Sequence, residues 1–368
     1  MVNDIWVEVN KTNLIHNYRT LRNYINKDAK FCAVLKANAY GHDLVQTAKV
    51  LSEENVDYFG LTHLDEALEV RHAGVDTPIL LFMPVTESRI KEAICHNVEL
   101  TCASLFDAKN ICKVAENINK DAHIHIKVET GMGRLGVLQS EIFELFDYIN
   151  EHERLKVIST YTHFTQSGDI NVRWTHNQYK IFAQITELLK KRGYDIGFVH
   201  CANSAATLRF QEYQLGMVRC GTILFGQFPS AYAKVEGVNL KPTWQLKARV
   251  VAVRHLLTGS TVGYGSEYST NRDTKTAVVA CGFSHGYTLM PESLIYRIEP
   301  IRYFMKKYFR KQTMKIKGKE YPVIGRVSMQ MTVLDITDAK EEIKVNDEVV
   351  IPTMRLPVQA TIPRIFVD

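Results

Sequence analysis

The feature that most restricts the fold is a rhythm: between residues 10 and 230, short apolar runs alternate with longer stretches of helical periodicity. Phe31–Leu35, Tyr58–Leu61, Ile79–Met83, Leu100–Ala103, Ala122–Val128 and Val157–Tyr161 read as strands, with Gly197–His200 and Met217–Val218 supplying the last. Asn13–Ile25, His42–Glu53, Leu64–Ala73, Leu105–Ile118, Ser140–Tyr148 and Trp174–Lys191 read as helices, the third stopped by Gly74. Brief strands that are apolar on both faces must be covered on both, and a helix after each strand does this in a parallel sheet. A count of about eight βα units favours a closed (β/α)8 barrel of the TIM type over an open doubly wound sheet. The absence of a GxGxxG fingerprint and of a GxxxxGK loop points the same way.

After about residue 235 the helical periodicity stops. Lys247–Leu256, Thr276–Cys281, Leu294–Tyr303, Gln312–Ile316, Val323–Ile324, Val327–Ile336 and Asn346–Ile351 read as strands of a predominantly β domain of roughly 130 residues. A chain of 368 residues exceeds one ordinary core. The expected domains are 1–235, the barrel, and 236–368, the β domain, with an alternating strand at about 5–9 available to pair with the second.

Hydrophobic residues at 46% and charged residues at 23% are those of a globular protein in water. The net charge of +5 comes with no Lys/Arg block interleaved with aromatics, so no nucleic-acid partner is implied. The opening MVNDIWVEVN lacks the pattern of a signal peptide, and no apolar run approaches the roughly 18 residues of a membrane span. Cytoplasmic residence is the expectation. Seven scattered cysteines suggest neither a disulfide framework nor a zinc knuckle.

Lys36 directly follows the first barrel strand. At the carboxyl end of such a strand its amine would face the barrel mouth, where lost solvation favours a nucleophile; a solvated strand cap is the ordinary alternative. Asn38, Tyr40, Gly41 and His42 then make an unusually polar, aromatic turn, suited to holding a ligand. Further on, GMGRLG places Arg134 beyond two glycines that allow close approach of backbone to ligand, although a lone arginine also suits a surface loop. Tyr161 and His163 stand at a strand end in YTHF, with no acid and second histidine at metal-binding spacing. In VHCANSAA, Asn203 and Ser204 follow His200 at a strand-to-helix junction that fits either a phosphate or a plain N-cap. Arg219, Gly221 and Thr222 lie in MVRCGTILFG, and Tyr264 sits between glycines in VGYGSEY.

In this order, FCAVLKANAYGHD, Lys127 with ETGMGRLG, YTHF, VHCANSAA, MVRCGTILFG, VGYGSEY and GRVSMQ resemble the motifs of the alanine racemase family, over essentially the whole chain. The resemblance implies an amino acid racemase, an isomerase that uses pyridoxal 5'-phosphate. Lys36 would carry the cofactor. Tyr40, Asn203, Ser204 and the amides of Gly221 and Thr222 would surround its phosphate end, Arg134 would reach its phenolic oxygen, His163 would pack against its ring and Arg219 would donate to its pyridine nitrogen. Racemisation requires proton exchange on both faces of the α-carbon. Lys36 would serve one face and Tyr264, from the partner in a homodimer with shared sites, the other. Met329 and Arg134 would bind the substrate carboxylate. Some members carboxylate the lysine matching Lys127, although Glu129 stands here where the family usually has aspartate. A guanidinium at the pyridine nitrogen stays charged, which makes the ring a weaker electron sink and disfavours side reactions such as transamination. Peptidoglycan precursor supply is the role implied by the bacterial members.

Departures from the family gather at the expected substrate entrance. GFSHGY replaces GYADGY, so Phe283 stands for a tyrosine and His285 for an aspartate; Leu289 replaces an arginine, Gln330 an aspartate and Ala360 a tyrosine. Arg326 opens GRVSMQ beside them, and the connection Pro352–Val358 is short for the family. One such change is worth about 1–3 kcal/mol in discrimination, and several together could admit serine, lysine or ornithine beside alanine. A pyridoxal-phosphate decarboxylase would need a catalytic cysteine and an acid-rich pocket not found here. A small cofactor-binding barrel would lack the second domain, and a serine racemase domain cut from a membrane protein stays open. No metal is expected.

Overall fold

The computed structural model describes residues 3–289, 300–301, 304–305 and 312–368. It divides into two compact units, Lys11–Thr243 and a second made of Met1–Asn10 with Trp244–Asp368. Strand β1 (Ile5–Asn10) belongs to the second unit.

In the first unit the βα rhythm becomes a barrel. Strands β2 (Lys30–Val34), β3 (Tyr58–Leu61), β4 (Ile79–Leu81), β5 (Val98–Cys102), β6 (Ala122–Lys127), β7 (Leu155–Tyr161), β8 (Phe198–His200) and β9 (Met217–Cys220) lie side by side in chain order, all parallel, with β9 returning beside β2. Between β8 and β9 the ring closes through Gly216 N donating to Val199 O and Arg219 N to Ala202 O, both at 3.0 Å. Helices α1 (Lys11–Tyr24), α2 (Leu44–Glu53), α3 (Leu64–His72), α4 (Glu87–Cys95), α5 (Leu105–Asn117), α6 (Ile142–Asn150), α7 (Arg173–Lys191) and α8 (Ser204–Arg209) cover it. The expected (β/α)8 barrel is therefore the fold.

Helix α1 shows why these segments pack as they do. Leu14, Tyr18 and Leu21 recur at three- and four-residue spacing and are buried together, each leucine worth about 1.5–3 kcal/mol of burial. Asn17 on the same face is fully buried and bonds the connection that follows the barrel, donating to Leu224 O and Lys241 O at 3.1 and 2.8 Å and accepting from Lys241 N at 2.7 Å. Thr243 is held beside His42 at 2.8 Å. These bonds keep the connecting segment with the barrel, so the compact units part after Thr243 and not at the composition change near residue 235.

Residues 37–40 correct one expectation. The helix read from His42 begins at Leu44, because Ala37, Asn38, Ala39 and Tyr40 all take left-handed backbone angles, with φ of 55°, 54°, 50° and 54°. Asp43 then caps α2 by accepting from Gln46 N at 3.0 Å.

The second unit is built on the long β10 (Trp244–Leu256), which pairs antiparallel with β1, β13 (Thr274–Val279) and β17 (Glu348–Ile351). The chain's last strand, β18 (Arg364–Val367), runs parallel to β1. A hairpin of β11 (Thr261–Val262) and β12 (Tyr268–Ser269), the strands β14 (Thr313–Ile316) and β15 (Lys319–Pro322), and β16 (Thr332–Asp335) complete it. Val7, Val9, Leu246, Ala248, Val250, Ala277 and Val349 alternate into one core. The strand read over 327–336 shortens to β16 because Ser328 N donates to Met331 O at 3.0 Å, closing a turn. The one read over 294–303 lies outside the described residues apart from 300 and 301, which are helical. Among the described residues no helix is long and apolar enough to cross a membrane.

Candidate active site

The carboxyl ends of the barrel strands enclose a cavity of about 460 Å3. Its lining contains Lys36, Tyr40, Lys127, Arg134, Tyr161, His163, Asn203, Ser204, Arg219, Gly221 and Thr222, with Val34, Phe82, Met83 and Leu135 as apolar wall. The strands put these residues there: Lys36 follows β2, Lys127 ends β6, Tyr161 ends β7 and Arg219 lies in β9.

The left-handed turn after Lys36 sets where its amine opens. Four non-glycine residues in this conformation cost on the order of 4–8 kcal/mol, at about 1–2 kcal/mol each. Local bonds offset it: Ala39 N donates to Leu35 O at 2.7 Å, Leu44 N to Asn38 Oδ1 at 2.7 Å, and Asn38 N to Glu66 Oε1 at 3.2 Å. The Lys36 amine reaches the cavity, and burial followed by the charge of Arg134 lowers its pKa, against a smaller raising effect of Glu66. Lys36 as a whole is exposed to this opening, whereas Lys127 is buried. Burial first, then Arg134 and Arg219, lowers its amine to about 8.

Arg134 is exposed and its loop is clamped from below. The Glu129 carboxylate accepts from the amides of Gly131, Met132 (2.5 Å) and Gly133 (3.0 Å). Burial raises this carboxyl's pKa, but the amides outweigh it and the net shift is down. Glutamate, where the family usually has aspartate, thus still folds the GMGRLG loop.

Arg219 is buried at the inner wall. Its Nη2 donates to Thr162 O at 2.8 Å and Cys201 O at 3.1 Å and lies 3.4 Å from His163 Nδ1, while Nη1 donates to His200 Nδ1 at 2.5 Å. His163 is held neutral: burial, then Arg219 and Lys127, lowers its pKa well below the usual range. Tyr161 bonds Thr101 Oγ1 at 2.7 Å and stacks on His200, and burial raises its phenol to about 12.

Just beyond Arg219 on the chain, Gly221 N donates to Ser204 Oγ at 2.9 Å. Asn203 is the N-cap of α8; its Oδ1 accepts from Ala206 N at 3.1 Å and Ser167 Oγ at 2.7 Å. A Cβ on residue 221 would overlap the Tyr40 hydroxyl, so this part of the wall is shaped by a glycine.

The second unit carries the other expected residues. Tyr264 is 70% exposed on a short turn between Gly263 and Gly265, flanked by β11 and β12. Arg326 pairs with Glu267 of that turn's far side. Ser284 N and Oγ donate to Met329 O at 2.9 and 2.7 Å, which brings Phe283 and His285 beside Met329 and Gln330. His285 Nδ1 accepts from Gly282 N at 3.2 Å, and burial lowers its pKa. Leu289 and Ala360 are exposed. Sequence reading passed over Glu99, His125 and Ser159, polar residues inside the barrel; the His–Ile alternation of β6 was the available signal, and of its two histidines His125 is buried while His123 is exposed.

Comparison with known proteins fits this geometry. The family model described as the alanine racemase N-terminal domain matches residues 9–229, and the C-terminal domain model matches 243–362. An alanine racemase of Methanococcus maripaludis is 34% identical over 94% of this chain and 88% of its own, and one of Desulforamulus reducens is 33% identical over 95% and 90%. The solved alanine racemase of Clostridium difficile 630 has a TM-score of 0.88 at 28% identity, covering 100% of this chain and 96% of that one. Matched through both domains and alike in fold from end to end, the chain belongs to the alanine racemase family.

Proposed function

We propose that the protein interconverts L- and D-alanine with pyridoxal 5'-phosphate bound at Lys36. The observation that carries this is the convergence, on one cavity, of a lysine of lowered pKa with Tyr40, Arg134, His163, Ser204, Arg219 and Gly221. The donor set of the cavity fits such a group: the glycine at 221 leaves room for the Tyr40 hydroxyl beside it, so a phenol, a serine and a backbone amide share one part of the lining, and a buried guanidinium lines another. When bound, the cofactor supplies an electron-withdrawing ring that acidifies the substrate's α-carbon.

This chain's residues do the rest. Tyr40, Asn203, Ser204, Gly221 and Thr222 would hold the phosphate end, Arg134 the phenolic oxygen, and Arg219 the ring nitrogen, with neutral His163 against the ring face. The lowered pKa of Lys36 leaves its amine more often unprotonated, the form able to bond a carbonyl carbon and to take a proton at Nζ. Tyr264 would exchange the proton on the other face from the partner of a homodimer, and Met329 with Arg134 would bind the substrate carboxylate. A carbamate on Lys127 would set an anion among Arg134, Arg219 and Lys36, and the amine's pKa near 8 favours its formation. A cytoplasmic role in supplying D-alanine to peptidoglycan precursors completes the reading.

Borohydride reduction of cofactor-loaded protein tests it. A reduced adduct on the peptide containing Lys36, absent in Lys36→Ala, is the expected outcome; no adduct on that peptide rejects it. Incubation with single L-amino acids and chiral separation tests the substrate, alanine being expected to turn over fastest. Faster serine, lysine or ornithine would transfer the assignment to the broader racemases that Phe283, His285, Leu289, Gln330 and Ala360 bring to mind.

A further inference from the structure

The interior of a (β/α)8 barrel is ordinarily filled by branched apolar side chains. Here five consecutive strands each turn a polar side chain inward, and the five form one unbroken line. Arg219 Nη1 of β9 lies 2.5 Å from His200 Nδ1 of β8; His200 Nε2 lies 2.9 Å from Ser159 Oγ of β7; Ser159 Oγ lies 2.6 Å from His125 Nδ1 of β6; His125 Nε2 lies 2.7 Å from Glu99 Oε2 of β5. Arg219, His200, Ser159 and His125 are all buried.

The ends of the line fix its direction. A guanidinium only donates, and an ionised carboxylate only accepts. His200 must therefore accept at Nδ1 and carry its proton on Nε2, which donates to Ser159. The Ser159 hydroxyl then donates to His125 Nδ1, and His125 donates from Nε2 to Glu99. In this arrangement each link has one donor and one acceptor, and the buried Ser159 hydroxyl proton has a partner. Were His200 to carry a proton on Nδ1, that N–H would confront the Arg219 donor. Among the described residues no ion pair of Arg219 is found, so Glu99, which also accepts from Tyr58, is the nearest carboxylate along its bonded chain.

We propose that Glu99, His125 and Ser159 are positioning residues for the reaction: through His200 they hold Arg219 as a fixed cationic donor toward the cavity, with Glu99 as its remote counter-charge. This rests on the cofactor reading only for what Arg219 faces; the relay itself belongs to the barrel.

The test uses protein loaded with pyridoxal 5'-phosphate, its histidines labelled with nitrogen-15. In the wild type, His125 and His200 should both give the signature of the neutral ring protonated at Nε2. Ser159→Ala should give His200 mixed tautomers, change the bound cofactor's absorbance, and lower kcat about tenfold or more in both directions while KM shifts little. Ser159→Thr, which restores the hydroxyl, should restore all of these. A wild-type His200 that is cationic or protonated at Nδ1 overturns the proposal, and this reading needs no variant to fold. So does a Ser159→Ala enzyme with unchanged kcat and spectra. If the wild type racemises nothing, the functional reading falls, while the tautomers still decide the relay.

Discussion

Tyr40 and Gly221 meet so closely that a side chain on residue 221 would overlap the tyrosine hydroxyl. Tyr40 belongs to the left-handed turn after β2 and Gly221 follows β9, and these two strands are paired neighbours in the barrel. Gly221→Ala should therefore push Tyr40 aside. We expect cofactor affinity to fall about 10–100-fold, equivalent to about 1.4–2.8 kcal/mol, with little change in Tm. Titration of the apoprotein with pyridoxal 5'-phosphate, followed by absorbance, measures it.

Tyr264→Phe removes only the proposed phenolic acid/base. Interconversion should slow by about 10²–10⁴-fold in both directions, with cofactor absorbance unchanged. Chiral chromatography against time, with a spectrum of the same sample, checks both halves.

Lys127 has a folded-state pKa near 8, below its unfolded value of about 10.4. Between these values the unfolded chain binds the extra proton, so stability rises with pH across that window. Wild type should gain stability relative to Lys127→Met from about pH 8 to pH 10, read as urea midpoints. Carboxylation needs the same neutral amine, so a carbamate signal from labelled bicarbonate should grow as pH approaches 8 and be absent in Lys127→Met.

Glu129 works in the other direction. Its folded pKa is depressed, so its contribution is complete above the unfolded value and is lost as pH falls through the folded one. Glu129→Gln should cost about 1–2 kcal/mol at pH 7, from weakened bonds to the loop amides. The gap to wild type should narrow in acid, as chemical denaturation at several pH values would show.

Ala37 carries a φ of 55° without glycine's freedom. Ala37→Gly should relieve this strain and stabilise the protein by about 0.5–1 kcal/mol, measured by urea denaturation.

Much of this was legible in the chain itself. Spacing of apolar runs points to a barrel because strands buried on both faces leave few other solutions. Lys36 and Arg134, in contrast, stood out only through the resemblance of the motifs around them, since a lysine after a strand and an arginine in a glycine loop equally suit a solvated surface. Local sequence could not show that residues 37–40 turn left-handed, since alanine and tyrosine ordinarily avoid that region and only the surrounding bonds hold them there. Nor could it join Glu99 to Arg219. These two are remote in sequence and become ends of one line because each parallel strand adds a single inward side chain beside the last. Sequence determined which segments become strands and helices, through the period of burial. The closing of the ring decided which polar groups touch, because only then do residues on separate strands share an interior without water.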